Sequence, residues 1–226
     1  MPDRQRRSRV ARLKAAVLVS GRGSNLQALL DAGRTPDFPV EIALVVSNLP
    51  DVPALERAKA AGVATKVIDH RGFADRAAFD QALDTTLRAA DVEVVCLAGF
   101  MRLLTAGFVE AWRNRLINIH PSLLPSFKGL HTHRRALAAG VTLHGCTVHF
   151  VTPDLDDGPI IAQAAVPVLG DDDEDRLAAR VLTAEHRLYP LALRLFAEGR
   201  LTLAGRRVLV SGDVDAGGAL FNPALK

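Results

Sequence analysis

The sequence predicts an α/β fold: an open, mostly parallel twisted sheet with helices on both faces. Three observations carry this. Short β-rich apolar runs alternate with longer amphipathic stretches from residue 15 onward. The runs are continuously apolar rather than alternating, as in strands that are covered on both sides. The first run ends in a glycine turn that leads directly into a helical pattern, the strand–loop–helix order of a parallel α/β unit.

The elements follow in order. Ala15–Ser20 is apolar, short and stopped by Gly21, so it reads as the first strand. Asn25–Ala32 places Leu26, Leu29 and Leu30 on one helical face. Further strands are expected at Ile42–Val46, Ala64–Ile68, Val94–Ala98 and Leu116–Ile119, with helices at Ala54–Ala61 and Ala74–Ala89 between them. Beyond these come a β-rich run at Cys146–Val151, an Asp/Gly/Pro loop at Pro153–Pro159 and an apolar run at Ile160–Val168. Glu174–Glu198 has the length and period of a long helix, with an interruption expected near Pro190. Leu201–Leu203 and Val208–Val210 suit a small hairpin. The expected organisation is a basic leader at 1–14, one domain at 15–203 and a terminal extension at 204–226. The domain divides into a nucleotide-binding-like half (15–112) and a second half (113–203) that completes the site.

Composition narrows the function classes. The 226 residues are 49% apolar, enough for a substantial core. No apolar run reaches the ~20 residues of a membrane span, and no secretory h-region follows the basic start. A soluble, cytoplasmic protein is expected. Cys96 and Cys146 sit in apolar runs and read as buried, reduced thiols. The formal charge of +3 is uneven: six cations against Asp3 give residues 1–14 a balance of +5, leaving −2 for the rest. The pI of about 9.2 therefore belongs to the leader. No aromatic residues interleave there for base stacking, so a disordered leader is expected rather than a nucleic-acid arm.

The loop Ser20-Gly21-Arg22-Gly23-Ser24-Asn25 lies between strand and helix, where free amides and the positive dipole end favour an anion. It lacks the lysine of a Walker loop, and Leu26 stands where a dinucleotide loop has its third glycine. The second strand ends in Ser47-Asn48 rather than in a ribose-binding acid. A monophosphate is the ligand this pattern suits, with a plain structural turn as the alternative.

Leu116-Ile117-Asn118-Ile119-His120-Pro121 is the most informative stretch. Alternation puts Asn118 and His120 on one face of a strand, and Pro121 ends the ladder there. An amide donor beside an imidazole at a strand's carboxyl end suits oxyanion stabilisation with proton transfer. The loop that follows is long and proline-punctuated, able to shape a pocket. His131 and His133 lack a third ligand at zinc-site spacing, and His133 is expected to cap the next helix. Thr147 and His149 share a strand face, and Asp154, Asp156 and Asp157 supply carboxylates on a turn. A carboxylate beside a histidine stabilises its imidazolium, but residue pattern alone does not select which aspartate.

Together, the glycine loop, Ala98-Gly99-Phe100-Met101-Arg102-Leu103-Leu104, Asn118-Ile119-His120-Pro121-Ser122-Leu123-Leu124-Pro125 and Gly129-Leu130-His131-Thr132-His133 resemble the phosphoribosylglycinamide formyltransferases. The likeness runs in order from about Ala15 to about Leu203. It implies a Rossmann-like formyltransferase fold and formyl transfer from 10-formyltetrahydrofolate to glycinamide ribonucleotide in purine synthesis. By the same matching, Asn118, His120 and Asp156 are catalytic, and Gly23, Ser24, Asn25 and Glu185 bind the ribonucleotide. Arg76, Met101, Arg102, Leu103, Leu104, Asn118, Asp154 and Asp156 bind folate, with Pro153–Asp157 closing over the pterin. For Met101–Leu104 the plain alternative is a helix start after a strand. No metal, membrane or nucleic-acid partner is implied, and a monomer or homodimer is expected.

Two positions depart from the family pattern. Arg22 stands where a small polar residue such as asparagine is expected, and Leu182 where some members carry a polar residue near the substrate. A 10-formyltetrahydrofolate deformylase shares the strand-end block but usually carries an N-terminal regulatory domain, whereas about fourteen residues precede the first strand here. Methionyl-tRNA formyltransferase needs a C-terminal RNA-binding domain that this length does not house. A non-catalytic nucleotide- or nucleic-acid-binding protein would leave Asn118, His120 and Asp156 without a purpose.

Overall fold

In a computed structural model, described for residues 12–212 and 221–222, nine strands form one sheet in the order β3-β2-β1-β4-β5-β6-β7-β9-β8. β1 (Leu13–Val19), β2 (Val40–Ser47), β3 (Ala64–Val67), β4 (Val94–Leu97) and β5 (Leu116–His120) are parallel. β6 (Leu143–Phe150) runs antiparallel to β5 and to β7 (Ile160–Pro167). β8 (Leu201–Ala204) and β9 (Arg207–Val210) form the expected hairpin, which joins the edge through Ile160 opposite Arg207.

The continuous apolar runs arise because the sheet is covered on both sides. Ala15, Val17 and Val19 pack with α1 (Ser24–Gly33), α2 (Pro53–Ala60) and α6 (Glu174–Ala197) on one face. Ala16 and Leu18 meet α3 (Arg76–Ala89) and α4 (Ala106–Ala111) on the other, where Phe79, Leu83 and Trp112 are buried. At roughly 20–33 cal/mol per Å2 of apolar surface, burial of this extent is the main stabilising contribution to the fold.

Several expected bounds shift. β1 begins at Leu13, so the last residues assigned to the leader join the sheet: Lys14 N–H donates to Glu93 Oε2 at 2.9 Å. The rest of the expected leader, residues 1–11, lies outside the described residues. α6 continues through Pro190 without the expected interruption. Proline removes one backbone donor, but the helix buries Leu177, Val181, Leu188, Tyr189 and Leu193 along one side, which outweighs the loss. Tyr189 Oη, fully buried, lies 3.0 Å from the carbonyls of both Leu97 and Ile117 and ties α6 to neighbouring strands β4 and β5. Among the described residues no helix is long and apolar enough to cross a membrane.

Candidate active site at the carboxyl ends of the strands

The parallel strands β1, β4 and β5 deliver their carboxyl ends to one edge of the sheet, where open α/β folds bind ligands. Ser20, just after β1, links the loops there. Its hydroxyl donates to Asn48 Oδ1 at 2.6 Å and accepts from the Met101 N–H at 2.8 Å.

The glycine loop is braced from behind. The Ala54 N–H donates to the Gly21 carbonyl at 3.1 Å, and Arg57 Nε donates to the Arg22 carbonyl at 2.9 Å. Gly23 has φ +72°, and a Cβ there would lie 2.7 Å from Ala54 Cβ. Only glycine fits this contact. Gly23 caps α1, and Ser24 and Asn25 form its first turn, with amides free for an anion. The Arg22 side chain is exposed to solvent.

Asn25 Nδ2 donates to Glu185 Oε2 at 2.8 Å, bringing together two predicted ribonucleotide ligands from α1 and α6. Asn25 Oδ1 is buried with no partner, an acceptor held ready for a ligand donor. Glu185 is buried, and desolvation raises its pKa, although the Asn25 hydrogen bond opposes the shift. Leu182 lies one turn earlier on α6 and is partly buried.

The β5–β6 register builds the second half of the site. Asn118 stands opposite His149, and His120 opposite Thr147. His149 is buried, and burial lowers its pKa, so the ring is neutral near pH 7. Its Nδ1 lies 2.9 Å from the Phe150 carbonyl, which places the ring proton there and makes Nε2 an acceptor. Asn118 Nδ2 is 3.2 Å from that Nε2. This fixes the amide with its nitrogen toward His149 and leaves a second N–H available. The sequence showed Thr147 and His149 on one strand face but assigned His149 no role; the cross-strand pairing supplies the missing signal.

His120 is buried between two acceptors. Nε2 lies 3.1 Å from the Phe127 carbonyl and Nδ1 3.4 Å from Asp156 Oδ2. Both ring nitrogens therefore face oxygen atoms, which fixes the plane of the ring. Asp156, at φ +49°, also accepts from the Gly129 N–H at 2.9 Å, and its Oδ1 is 3.9 Å from His149 Nε2. Of the three aspartates on its turn, Asp156 is the one that lies beside His120 and His149, on the side of the sheet edge that carries Asn118. Thr147 supports the following loop, donating to the Ser122 carbonyl at 2.7 Å and accepting from the Leu124 N–H at 3.0 Å.

The predicted folate residues form a looser group. Met101 and Leu103 are exposed, as are Leu130 and Leu155 on the neighbouring loops, and apolar side chains of this kind suit a flat ring. Met101–Leu104 is loop rather than a helix start, since α4 begins at Ala106 behind the Thr105 cap. Arg102 lies over the Phe79 ring at 4.6 Å. Arg76 opens α3 and is exposed, as is Asp154; no hydrogen bond or ion pair joins either to Asn118, His120 or Asp156. His133 does not cap α5 (Thr132–Ala138). The cap residue is His131, at φ +57°, because the turn places His133 inside the helix with its Nδ1 3.2 Å from His144 Nε2. Cys96 and Cys146 are free and buried, as expected. Among the described residues no three His, Cys, Asp or Glu side chains converge as a metal ligand set.

Residues 13–193 match the formyl transferase family model. The phosphoribosylglycinamide formyltransferase of Escherichia coli (strain K12) is 49% identical over 201 residues, covering 89% of this chain and 95% of that protein. The trifunctional purine biosynthetic protein adenosine-3 of Bos taurus is 50% identical over 202 residues, and the chain spans only 20% of its length. The crystal structure of glycinamide ribonucleotide transformylase 1 from Symbiobacterium toebii superposes with a TM-score of 0.87 at 51% identity, covering 89% of this chain and 95% of that one.

Proposed function

The chain belongs to the phosphoribosylglycinamide formyltransferases, within the formyl transferase family, and on that premise we propose that it formylates glycinamide ribonucleotide from 10-formyltetrahydrofolate. The observation that carries this reading is the convergence of Asn118, His120 and Asp156 beside a glycine loop suited to a monophosphate. Gly23, Ser24 and Asn25 hold the phosphate and Glu185 the ribose. Met101–Leu104, Arg76, Asp154 and the loop Pro153–Asp157 hold the folate.

In this reading the substrate's amine attacks the formyl carbon, forming a C–N bond while the carbonyl π electrons move to oxygen. The free N–H of Asn118 donates to that oxyanion, and His120 joins it through Nε2 when the substrate displaces the Phe127 carbonyl from that nitrogen. On collapse the C–N10 bond breaks. The attacking amine loses a proton and the leaving nitrogen gains one, so no net proton is consumed. Asp156, 3.4 Å from His120 Nδ1, orients the ring and relays the proton between the attacking and leaving nitrogens. We place the reaction in the cytoplasm, a setting that suits two unpaired cysteines.

The test follows conversion of 10-formyltetrahydrofolate to tetrahydrofolate with and without glycinamide ribonucleotide. Turnover that depends on the ribonucleotide supports the transferase. Equal turnover without it makes the protein a hydrolase and overturns the proposal.

A further inference from the structure

We infer that Arg206, on the turn of the C-terminal hairpin, is a positioning residue for Asp156, acting through the neighbouring Asp157. The inference rests on the catalytic role proposed above for Asp156. It begins in the sheet register. β7 and β9 pair in parallel at Ile160 opposite Arg207, their first residues. The residues just before each, Asp157–Pro159 and Gly205–Arg206, are therefore held side by side. Gly205 takes φ +61° and lets β8 reverse into β9 within two residues, so the turn stays against the Asp157 loop.

Arg206 Nη2 donates to Asp157 Oδ2 at 2.7 Å and to the Asp157 carbonyl at 3.3 Å. From the other side Lys128 Nζ donates to Asp157 Oδ1. Lys128 lies between Phe127, whose carbonyl faces His120, and Gly129, whose N–H holds Asp156. Adjacent residues 156 and 157 thus bind adjacent residues 129 and 128, and Arg206 fastens the pair to the sheet edge. With two cations on it, Lys128 first and then Arg206, the Asp157 carboxyl is pulled down to about 2 and stays charged throughout the neutral range.

Asp156 needs such support. Its φ of +49° is a left-handed conformation that aspartate adopts more readily than most residues but still at a cost, so contacts to its neighbours help to hold it. Arg206 lies beyond the residues that match the family model, and no hydrogen bond or ion pair joins it to Asn118 or His120. An exposed ion pair adds little to global stability, so its consequence is for the place of Asp156. Displacement there by a fraction of an ångström is expensive in rate.

The test compares the full-length wild type with Arg206→Ala and Arg206→Lys by steady-state kinetics, thermal melting and hydrogen–deuterium exchange over residues 153–158. Arg206→Ala is expected to lower kcat by roughly 3–30-fold, with an unchanged KM for the ribonucleotide and a nearly unchanged Tm. Exchange over 153–158 is expected to quicken. Arg206→Lys, which restores the charge, is expected to recover most of kcat. An active wild type with an unaffected Arg206→Ala overturns the inference alone. So does a loss of kcat that only tracks a fall in Tm. A wild type with no ribonucleotide-dependent turnover overturns the reading of the site, and this inference with it.

Discussion

Asn118 faces His149 across the β5–β6 pair, and the neutral imidazole takes one of the two amide protons of Asn118. The amide cannot flip without setting its oxygen against the lone pair on His149 Nε2. Its other N–H is thereby aimed in advance rather than ordered by substrate, which is the arrangement that makes a donor effective toward an oxyanion. Asn118→Ala is expected to lower kcat by ~10²–10³-fold, as removal of a single oxyanion donor does elsewhere. A variant with most of its turnover intact removes Asn118 from the mechanism.

Asp156→Asn separates charge from shape. The amide oxygen can still accept from the Gly129 N–H, so the loop keeps its hydrogen bond. What disappears is the negative charge 3.4 Å from His120 Nδ1. A fall in kcat of about 10²-fold or more is expected, with little change in Tm. Stopped-flow single turnovers beside a melting curve distinguish this from unfolding, and full activity would leave Asp156 a loop anchor only.

Gly23→Ala tests the phosphate loop through packing alone. The added methyl would meet Ala54 Cβ at 2.7 Å and Ala54 Cα at 2.8 Å, at a φ that disfavours alanine. The loop must move off α2, which is expected to cost ~1–3 kcal/mol in stability and to raise KM for the ribonucleotide. The KM for folate should stay as it is. If both constants move together, the loop is not specific to the ribonucleotide.

Glu185→Gln sets stability against binding. Burial raises the Glu185 pKa, so the native state holds its proton more tightly than the unfolded chain does. Stability is thus lost as pH rises from the ordinary value of 4.5 through the raised one, and the penalty is complete above it. Glutamine removes that penalty while keeping an acceptor for Asn25. Chemical denaturation at pH 7 is expected to find the variant as stable as wild type or more so, and its KM for the ribonucleotide higher. A marked destabilisation would show that the charge itself holds α1 to α6.

How legible these features were depended on range. Local patterns announced the strands, the glycine loop and the Asn118/His120 pair, because alternation and turn chemistry act over a few residues. Asp156 was legible only through resemblance, since three aspartates share its turn and the choice depends on where β6 and β7 leave that turn. His149 was visible as a strand residue, yet its function needed the register with β5. Pro190 misled for a related reason: its local cost is overridden by the long apolar side of α6, which packs on residues far away in the chain. The salt-bridged Arg206 lay in a stretch read as an extension, and only the β7–β9 pairing brings it to the site.

His144 predicts the acid limb of stability. Burial, and then the nearby His133, lower its pKa from 6.5 to about 4, and burial moves His133 in the same direction. The rings are 3.2 Å apart between His133 Nδ1 and His144 Nε2, so a proton on both facing nitrogens would repel. Below pH ~6.5 the unfolded chain therefore binds protons that the native state refuses. Stability is expected to be level near neutrality and to fall as pH drops from ~6.5 toward ~4. Each tenfold loss of proton affinity is worth ~1.4 kcal/mol, so a shift from 6.5 to about 4 lets His144 account for no more than a few kcal/mol of that fall. Urea unfolding across this range measures the slope directly. His144→Phe keeps a ring beside Phe127 and removes the titrating group, so its acid limb should be shallower than that of wild type. An identical slope in the two proteins would assign the limb to the carboxylates instead, and would mean that the native state accommodates a charged His144.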